Sequence, residues 1–208
     1  MFEERKINPE LLKQYREQGY WKNETLLDCW ERAAAQYPDR EYVVDDRGYR
    51  YTYRELDEAA GRVASYLMEL GIRPGEVVSY QFPIWSEFAM LTIACYKVGA
   101  VAHPIAMSYE EKELARSLNV TESRCYFGPT YFYKTDYEER ILAVRDQTPL
   151  LKDIVLIDSV KPAKSSVRLL REILASYEPL PKEQCVHTKN GQDIAVILCT
   201  SGTTGGTK

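Results

Sequence analysis

Histidine is nearly absent from this 208-residue chain. The two present, His103 and His187, give a His-rich zinc site or a hydrolase triad too few members, and each reads as a structural residue. No two cysteines have CxxC spacing. Cys29, Cys95, Cys125, Cys185 and Cys199 are odd in number and lie mostly among apolar neighbours, which predicts reduced, buried thiols rather than a disulfide set. Basic runs are missing as well: 27 Lys and Arg stand against 31 Asp and Glu, leaving a net charge of -4, which excludes the electrostatic footprint of a nucleic-acid binder. No segment approaches the roughly 18 uninterrupted apolar residues of a membrane-spanning helix. The start, Met1-Phe2-Glu3-Glu4-Arg5-Lys6, has two acids where a secretory signal has a positive end, so a cytoplasmic location is expected. Internal repeats and low-complexity tracts are also lacking.

What remains is a chain with 45% hydrophobic residues, enough for a folded core. Asn8-Pro9 is a helix start, followed by the apolar stripe Leu11, Leu12 and Tyr15, with Gly19 as a stop. A second helix is expected from Thr25, with Asp28 three residues on, through Trp30 and Ala33 to Ala35, ending before Pro38. Two β-like runs, Tyr42 to Val44 and Tyr49 to Thr52, flank Asp46-Arg47-Gly48 and suit a hairpin. Thr52 and Glu55 form a capping-box pattern for a helix carrying Leu56, Ala59, Ala60, Val63, Ala64, Leu67 and Leu70 at helical spacing, closed by Gly71 and Pro74.

Strand and helix then alternate: a strand over Val77 to Phe82, a helix over Ser86 to Val98 and a strand over Val101 to Ile105. A helix capped by Ser108 with Glu111 runs to about Asn119, followed by a strand at Cys125 to Phe127 and a helix over Asp136 to Thr148. A strand over Ile154 to Ile157 and a helix over Val167 to Tyr177 follow, the latter with Leu169, Leu170, Ile173 and Leu174 on one side. Glu178 to Gln192 reads as a surface connection and Ile194 to Thr200 as one more apolar strand. This order predicts an α/β fold, a largely parallel sheet covered by helices on both faces.

The run Thr200-Ser201-Gly202-Thr203-Thr204-Gly205-Gly206-Thr207-Lys208 follows that last strand directly. Glycines let backbone N–H groups converge on one point. Hydroxyls of Ser201, Thr203 and Thr204 add rotatable donors, and Lys208 adds a full charge. The composition suits phosphate oxygens; a flexible linker shares it, though a linker needs no apolar strand before it. The run is not the common nucleotide loop GxxxxGK followed by Ser or Thr, because the later glycine falls on Thr207.

This run resembles the Thr-Ser-Gly-Ser/Thr-Thr-Gly-x-Pro-Lys signature of the adenylate-forming superfamily, which includes acyl-CoA synthetases. Thr200, Ser201, Gly202, Thr203, Thr204, Gly205 and Lys208 match; Thr207 replaces the proline, and Cys199 stands where an aromatic residue is frequent. Upstream, Thr52-Tyr53-Arg54-Glu55-Leu56 is similar to the family's TYxEL element, Leu70 to Val78 to its LGIxPGDxV turn, and Tyr96 to Pro104 to its helix-to-strand element. Gln81 to Phe88 resembles QLPNWxEF of synthetases for medium-chain, cyclic or aromatic acids, with Trp85 and Phe88 equally readable as core aromatics.

The resemblance implies that residues 1–208 form part of the large amino-terminal domain of an AMP-forming synthetase. It implies ATP with Mg²⁺ on the loop, a carboxylic acid as the nucleophile, and coenzyme A as the usual thiol acceptor. It assigns no catalytic or metal-ligating residue within the chain, because the family's adenine site, acidic Mg²⁺ residue and catalytic lysine follow the loop. The chain alone is therefore expected to lack ligase activity and to expose unpaired strand edges, with a homo-oligomer left open. The competing reading is a self-sufficient phosphate-binding or interaction module without catalysis.

Overall fold

The first two helices start where the sequence places a cap. The structure, a computed structural model, describes residues 8–158, 160–187 and 190–199. Helix α1 (Pro9–Glu17) begins at Asn8, whose Oδ1 accepts the Glu10 N–H at 2.9 Å, and it buries none of its residues. Helix α2 (Leu26–Gln36) opens on the reciprocal box of Thr25 and Asp28 and buries Leu27 and Trp30. Strands β1 (Glu41–Val44) and β2 (Arg50–Thr52) form the expected antiparallel pair. The Thr52 and Glu55 box then starts α3 (Tyr53–Glu69).

The alternation that follows is β3 (Val77–Tyr80), α4 (Ser86–Lys97), β4 (Val101–Pro104), α5 (Glu111–Val120) and β5 (Cys125–Pro129). A small hairpin of β6 (Tyr131–Phe132) and β7 (Thr135–Asp136), not foreseen in the sequence, leads into α6 (Tyr137–Ala143). Strands β8 (Asp153–Ile157) and β9 (Arg168–Leu169) and helix α7 (Leu170–Ser176) follow. The main sheet has the order β4-β3-β5-β8-β9, and every neighbouring pair is parallel.

Period-two alternation along the strands creates two cores. Val78, Tyr80, Cys125, Phe127, Val155 and Ile157 face α2, α3, α4 and α7, meeting Trp30, Leu67, Leu91 and Ile173. Tyr126, Ile154 and Leu156 face the other way, toward Leu114 and Leu118 of α5 and Ile141 of α6. Helices therefore cover both faces, as the α/β reading expects.

Four details differ from the sequence reading. Helix α5 starts at Glu111 with Glu110 as its cap residue and no side-chain cap bond, because Ser108 lies in a turn closed by the Tyr109 N–H on the Ala106 oxygen at 3.1 Å. The helix expected to reach Thr148 ends at Ala143; the Thr148 hydroxyl donates back to the oxygens of Val144 and Arg145, and a single 3₁₀ turn over Arg145–Gln147 remains. Arg168 and Leu169 are a strand, paired with Val155 and Leu156, so Leu169 enters the second core while Leu170 enters the first. The connection after Tyr177 is partly interior: Leu180 is buried and donates its N–H to the Gly61 oxygen, and the Val186 N–H reaches the Lys97 oxygen.

That connection meets the chain at Gly99, where α4 ends in the left-handed region at φ 67. A Cβ there lies 2.9 Å from Val186 Cγ1 and 3.3 Å from Pro74 Cβ. Gly99→Ala is expected to cost roughly 1 to 3 kcal/mol, from left-handed strain and the contact with Val186 together. The midpoint of urea unfolding measures it.

Candidate phosphate-binding site

Open parallel sheets take ligands beyond the carboxyl ends of their strands, where neighbouring strands send their connections to opposite faces. Here those neighbours are β3, which leads to α4 in the first core, and β5, which leads to α6 in the second. Gln81 joins the ends of these two strands. Its N–H donates to the Phe127 oxygen at 2.9 Å, its Nε2 donates to the Ala106 oxygen at 2.7 Å, and its Oε1 accepts the Tyr126 hydroxyl at 2.9 Å. Gly128 makes room for that hydroxyl, which would lie 2.5 Å from a Cβ at this position.

The same edge holds the amino end of α4, which has no cap of its own. Asp45, at the end of the β1–β2 pair, supplies one from 41 residues away, its Oδ2 accepting the Ser86 N–H at 3.2 Å and the Ser86 hydroxyl at 3.1 Å. Asp45 also binds Arg47, whose guanidinium pairs with Glu87 and lies 4.0 Å from the centre of the Trp85 ring. Burial pushes the Asp45 carboxyl up, but hydrogen bonds from Arg47 and Ser86 outweigh it and hold the pKa at about 2. Trp85 is buried and meets Phe132 edge to face at 5.5 Å, which is the core-aromatic role; Phe88 packs in the same way on Tyr80.

The segment leading to the glycine-rich run lies along β4. Val196 bridges Ala102 in parallel, with the Ala102 N–H on the Ala195 oxygen and the Ile197 N–H on the Ala102 oxygen, both at 2.9 Å. Among the described residues of the run expected as a strand, Ile194 to Thr200, no strand forms; the segment meets β4 at this isolated bridge. Ile194 and Leu198 are 50% and 70% exposed. At its end Cys199 reaches Nε2 of His103 at 3.5 Å and Ser117 Oγ at 3.8 Å. The predicted site residues Thr200, Ser201, Gly202, Thr203, Thr204, Gly205 and Lys208 lie outside the described residues.

His103 is completely buried, and burial lowers its pKa to about 4. His187 is a surface residue, its Nε2 2.9 Å from Glu31 Oε1. Cys95, Cys125 and Cys185 are buried as expected, whereas Cys29 is exposed and Cys199 half-buried. Among the described residues no group of three or more His, Cys, Asp or Glu could hold a metal ion, and no helix is long and apolar enough to cross a membrane. Sequence reasoning missed Asp45 and the contact of His103 with Cys199. Asp45 carried a weak signal, since an acid beside a hairpin turn invites a search for an uncapped helix; the histidine carried none.

The profile of the family described as AMP-binding enzyme matches residues 30–208. The chain belongs to that family. It is 39% identical over 191 residues to the medium-chain fatty-acid–CoA ligase of Escherichia coli (strain K12), covering 92% of this chain and 33% of the relative. It is 28% identical over 196 residues to the 2,3-dihydroxybenzoate-AMP ligase of Bacillus subtilis (strain 168), covering 94% and 34%. The apo structure of Mycobacterium smegmatis MbtA superposes with a TM-score of 0.78 at 26% identity, covering 97% of this chain and 36% of that one. The chain spans about a third of the length of these curated relatives. The parallel sheet with helices on both faces is therefore the fold of acyl-CoA ligase domains of this AMP-binding enzyme family.

Proposed function

We propose that this chain contributes the ATP phosphate-binding loop of an AMP-forming acid–thiol ligase. The observation that supports it is the run Thr200 to Lys208, set directly after a segment that joins the edge of the parallel sheet at Ala102. In the reaction, an oxygen of the substrate carboxylate attacks the α-phosphorus of Mg·ATP and pyrophosphate leaves. The thiol of coenzyme A then attacks the acyl carbon of the adenylate, and AMP leaves. The nucleophile belongs to the substrate, so the protein needs no Ser–His pair; it supplies position and charge for the phosphates. Thr200, Ser201, Gly202, Thr203, Thr204, Gly205 and Lys208 form the proposed cradle, with Mg²⁺ entering as part of the substrate. The acid is proposed to be an apolar monocarboxylate, with a medium-chain fatty acid the first to test, because the Escherichia coli relative named for that substrate is 39% identical.

Lys208→Ala is expected to weaken Mg·ATP binding by roughly 10- to 150-fold, the worth of one charge-assisted hydrogen bond of about 1.5 to 3 kcal/mol. NMR titration of the labelled protein reads it, and equal affinity of variant and wild type sinks the proposal. The 208-residue chain spans about a third of its relatives, so it is expected to bind the phosphates without catalysing ATP–pyrophosphate exchange. Exchange above background would show that it needs no further residues.

A further inference from the structure

Helix α1 stops at Gly19, which takes the left-handed region at φ 72. The Gly19 N–H returns to the Arg16 oxygen at 3.0 Å, and the N–H groups of Tyr20 and Trp21 both return to the Tyr15 oxygen, at 2.9 and 3.1 Å. The arm from there to α2 is clamped by a loop from the other end of the chain. The Gly191 N–H donates to Asn23 Oδ1 at 3.0 Å, and a Cβ on Gly191 would lie 2.9 Å from the Glu24 oxygen and 3.0 Å from the Lys22 oxygen, so backbone meets backbone there. The loop is locked in its turn: the Asn190 N–H donates to Asp193 Oδ2 at 2.8 Å, and the Gln192 N–H to Asn190 Oδ1 at 2.9 Å. Between these walls lies an open cleft of about 770 Å³. Its lining includes two cations, Arg16 and Lys22, and the half-buried ring of Trp21 between them in sequence, but no carboxylate.

We propose that this cleft binds a nucleoside phosphate that comes without a metal ion. The neighbouring acids are engaged elsewhere: Glu17 pairs with Lys13 at 3.7 Å, Glu24 with Arg32, and Asp193 accepts the Asn190 N–H. Among the described residues Arg16 and Lys22 therefore form no ion pair, and the Trp21 ring stacks on no other ring. An aromatic base covers the indole face, and phosphate oxygens accept from the two cations. The side-chain amides of Asn190 and Gln192, which line the same cleft, offer donors and acceptors to the edge of a base. A neutral aromatic molecule leaves both cations unmatched, and inorganic phosphate leaves the ring uncovered. With no carboxylate in the lining to hold Mg²⁺, the cleft suits AMP or the nucleotide end of coenzyme A. Those two sources are taken from the proposed reaction; the cleft itself contains no residue of the glycine-rich run.

The test is titration of the ¹⁵N-labelled chain with AMP and, separately, with coenzyme A, in EDTA, following the indole N–H signals of its three tryptophans. Trp30 donates its Nε1 to Asp57 at 2.6 Å and Trp85 is buried, so the Trp21 signal is the one expected to move. Arg16→Gln, Lys22→Gln and Trp21→Ala are each expected to weaken binding roughly 10-fold, whereas Trp21→Phe keeps a ring and stays within about threefold of wild type. If Trp21→Ala does not fold, the two glutamine variants, at exposed positions, carry the comparison. Adenosine is expected to bind at least about 10-fold more weakly than AMP, since it brings nothing to the cations. Tighter binding of AMP or of coenzyme A identifies the source, and equal binding shows that their common nucleotide is what the cleft recognises. A stationary Trp21 signal, adenosine as tight as AMP, or inorganic phosphate as tight as AMP overturns the proposal. Lys208→Ala separates this site from the glycine-rich run: the Trp21 shift and the AMP affinity are expected to be unchanged in it, and their loss places the nucleotide at the run and overturns the proposal. A chain that does not bind Mg·ATP at the run fails the reading above while leaving the Trp21 titration as it is.

Discussion

Asp45→Ala is expected to destabilise the protein by roughly 3 to 5 kcal/mol, the range for removing one partner of a buried ion pair. The Asp45 side chain has no exposed surface, and its oxygens accept six hydrogen bonds: the N–H groups of Arg47, Tyr49 and Ser86, Arg47 Nε and Nη2, and the Ser86 hydroxyl. Truncation strips α4 of its only cap and leaves the Arg47 guanidinium, whose Nη1 already has no partner, with Glu87 alone. The β1–β2 hairpin loses one of its ties to α4 at the same stroke, keeping the Arg47–Glu87 pair and the packing of Val43 and Tyr51 on the core. Asp45→Asn keeps an acceptor for Ser86 and loses the charge, so its cost is expected to be smaller. Urea unfolding at neutral pH measures both, and equal stability of Asp45→Ala and wild type removes the argument.

Acid is expected to destabilise the protein in two steps. The folded pKa of His103 is lowered by burial from 6.5 to about 4, so between those values the unfolded chain binds a proton that the folded chain excludes. Stability therefore falls as the pH drops from about 6.5 and levels off below about 4, a total of roughly 3 kcal/mol for the one group. Asp45 acts in the next window. Its carboxyl is held down from 3.8 to about 2, so it stabilises above the upper value and that contribution is lost as the pH falls toward the lower one. Unfolding midpoints of wild type and His103→Gln, measured from pH 7 to pH 4, isolate the first step. The variant is expected to show a flatter profile over that range, and an identical slope in the two proteins contradicts the assignment to His103.

Capping patterns within four residues, apolar stripes and glycine stops were legible along the chain, and α1, α2, α3 and the β1–β2 pair follow them. These signals are local, because a cap joins residues three apart and a stripe repeats every few positions. The strand-and-helix alternation was enough to dictate parallel pairing, since antiparallel neighbours need only a short turn. The composition of the glycine-rich run was equally legible, because it lies in consecutive residues.

Where partners are distant in sequence, only the tertiary structure decided. Leu169 has the spacing of a helix residue, but β8 offers it a vacant parallel edge, and ladder bonds outweigh the weak helical preference of so short a stretch. Ser108 has the spacing of a cap, but the chain needs that residue to turn out of β4 before α5 begins. The cap that Ser86 of α4 finds on Asp45 and the contact between Cys199 and His103 close over 41 and 96 residues. No local pattern encodes them, since their energy is gained only after the sheet has brought the two ends together. The sequence by itself determined the fold class and the composition of the glycine-rich run; the packing of β3, β4 and α5 decided that the buried His103 meets Cys199.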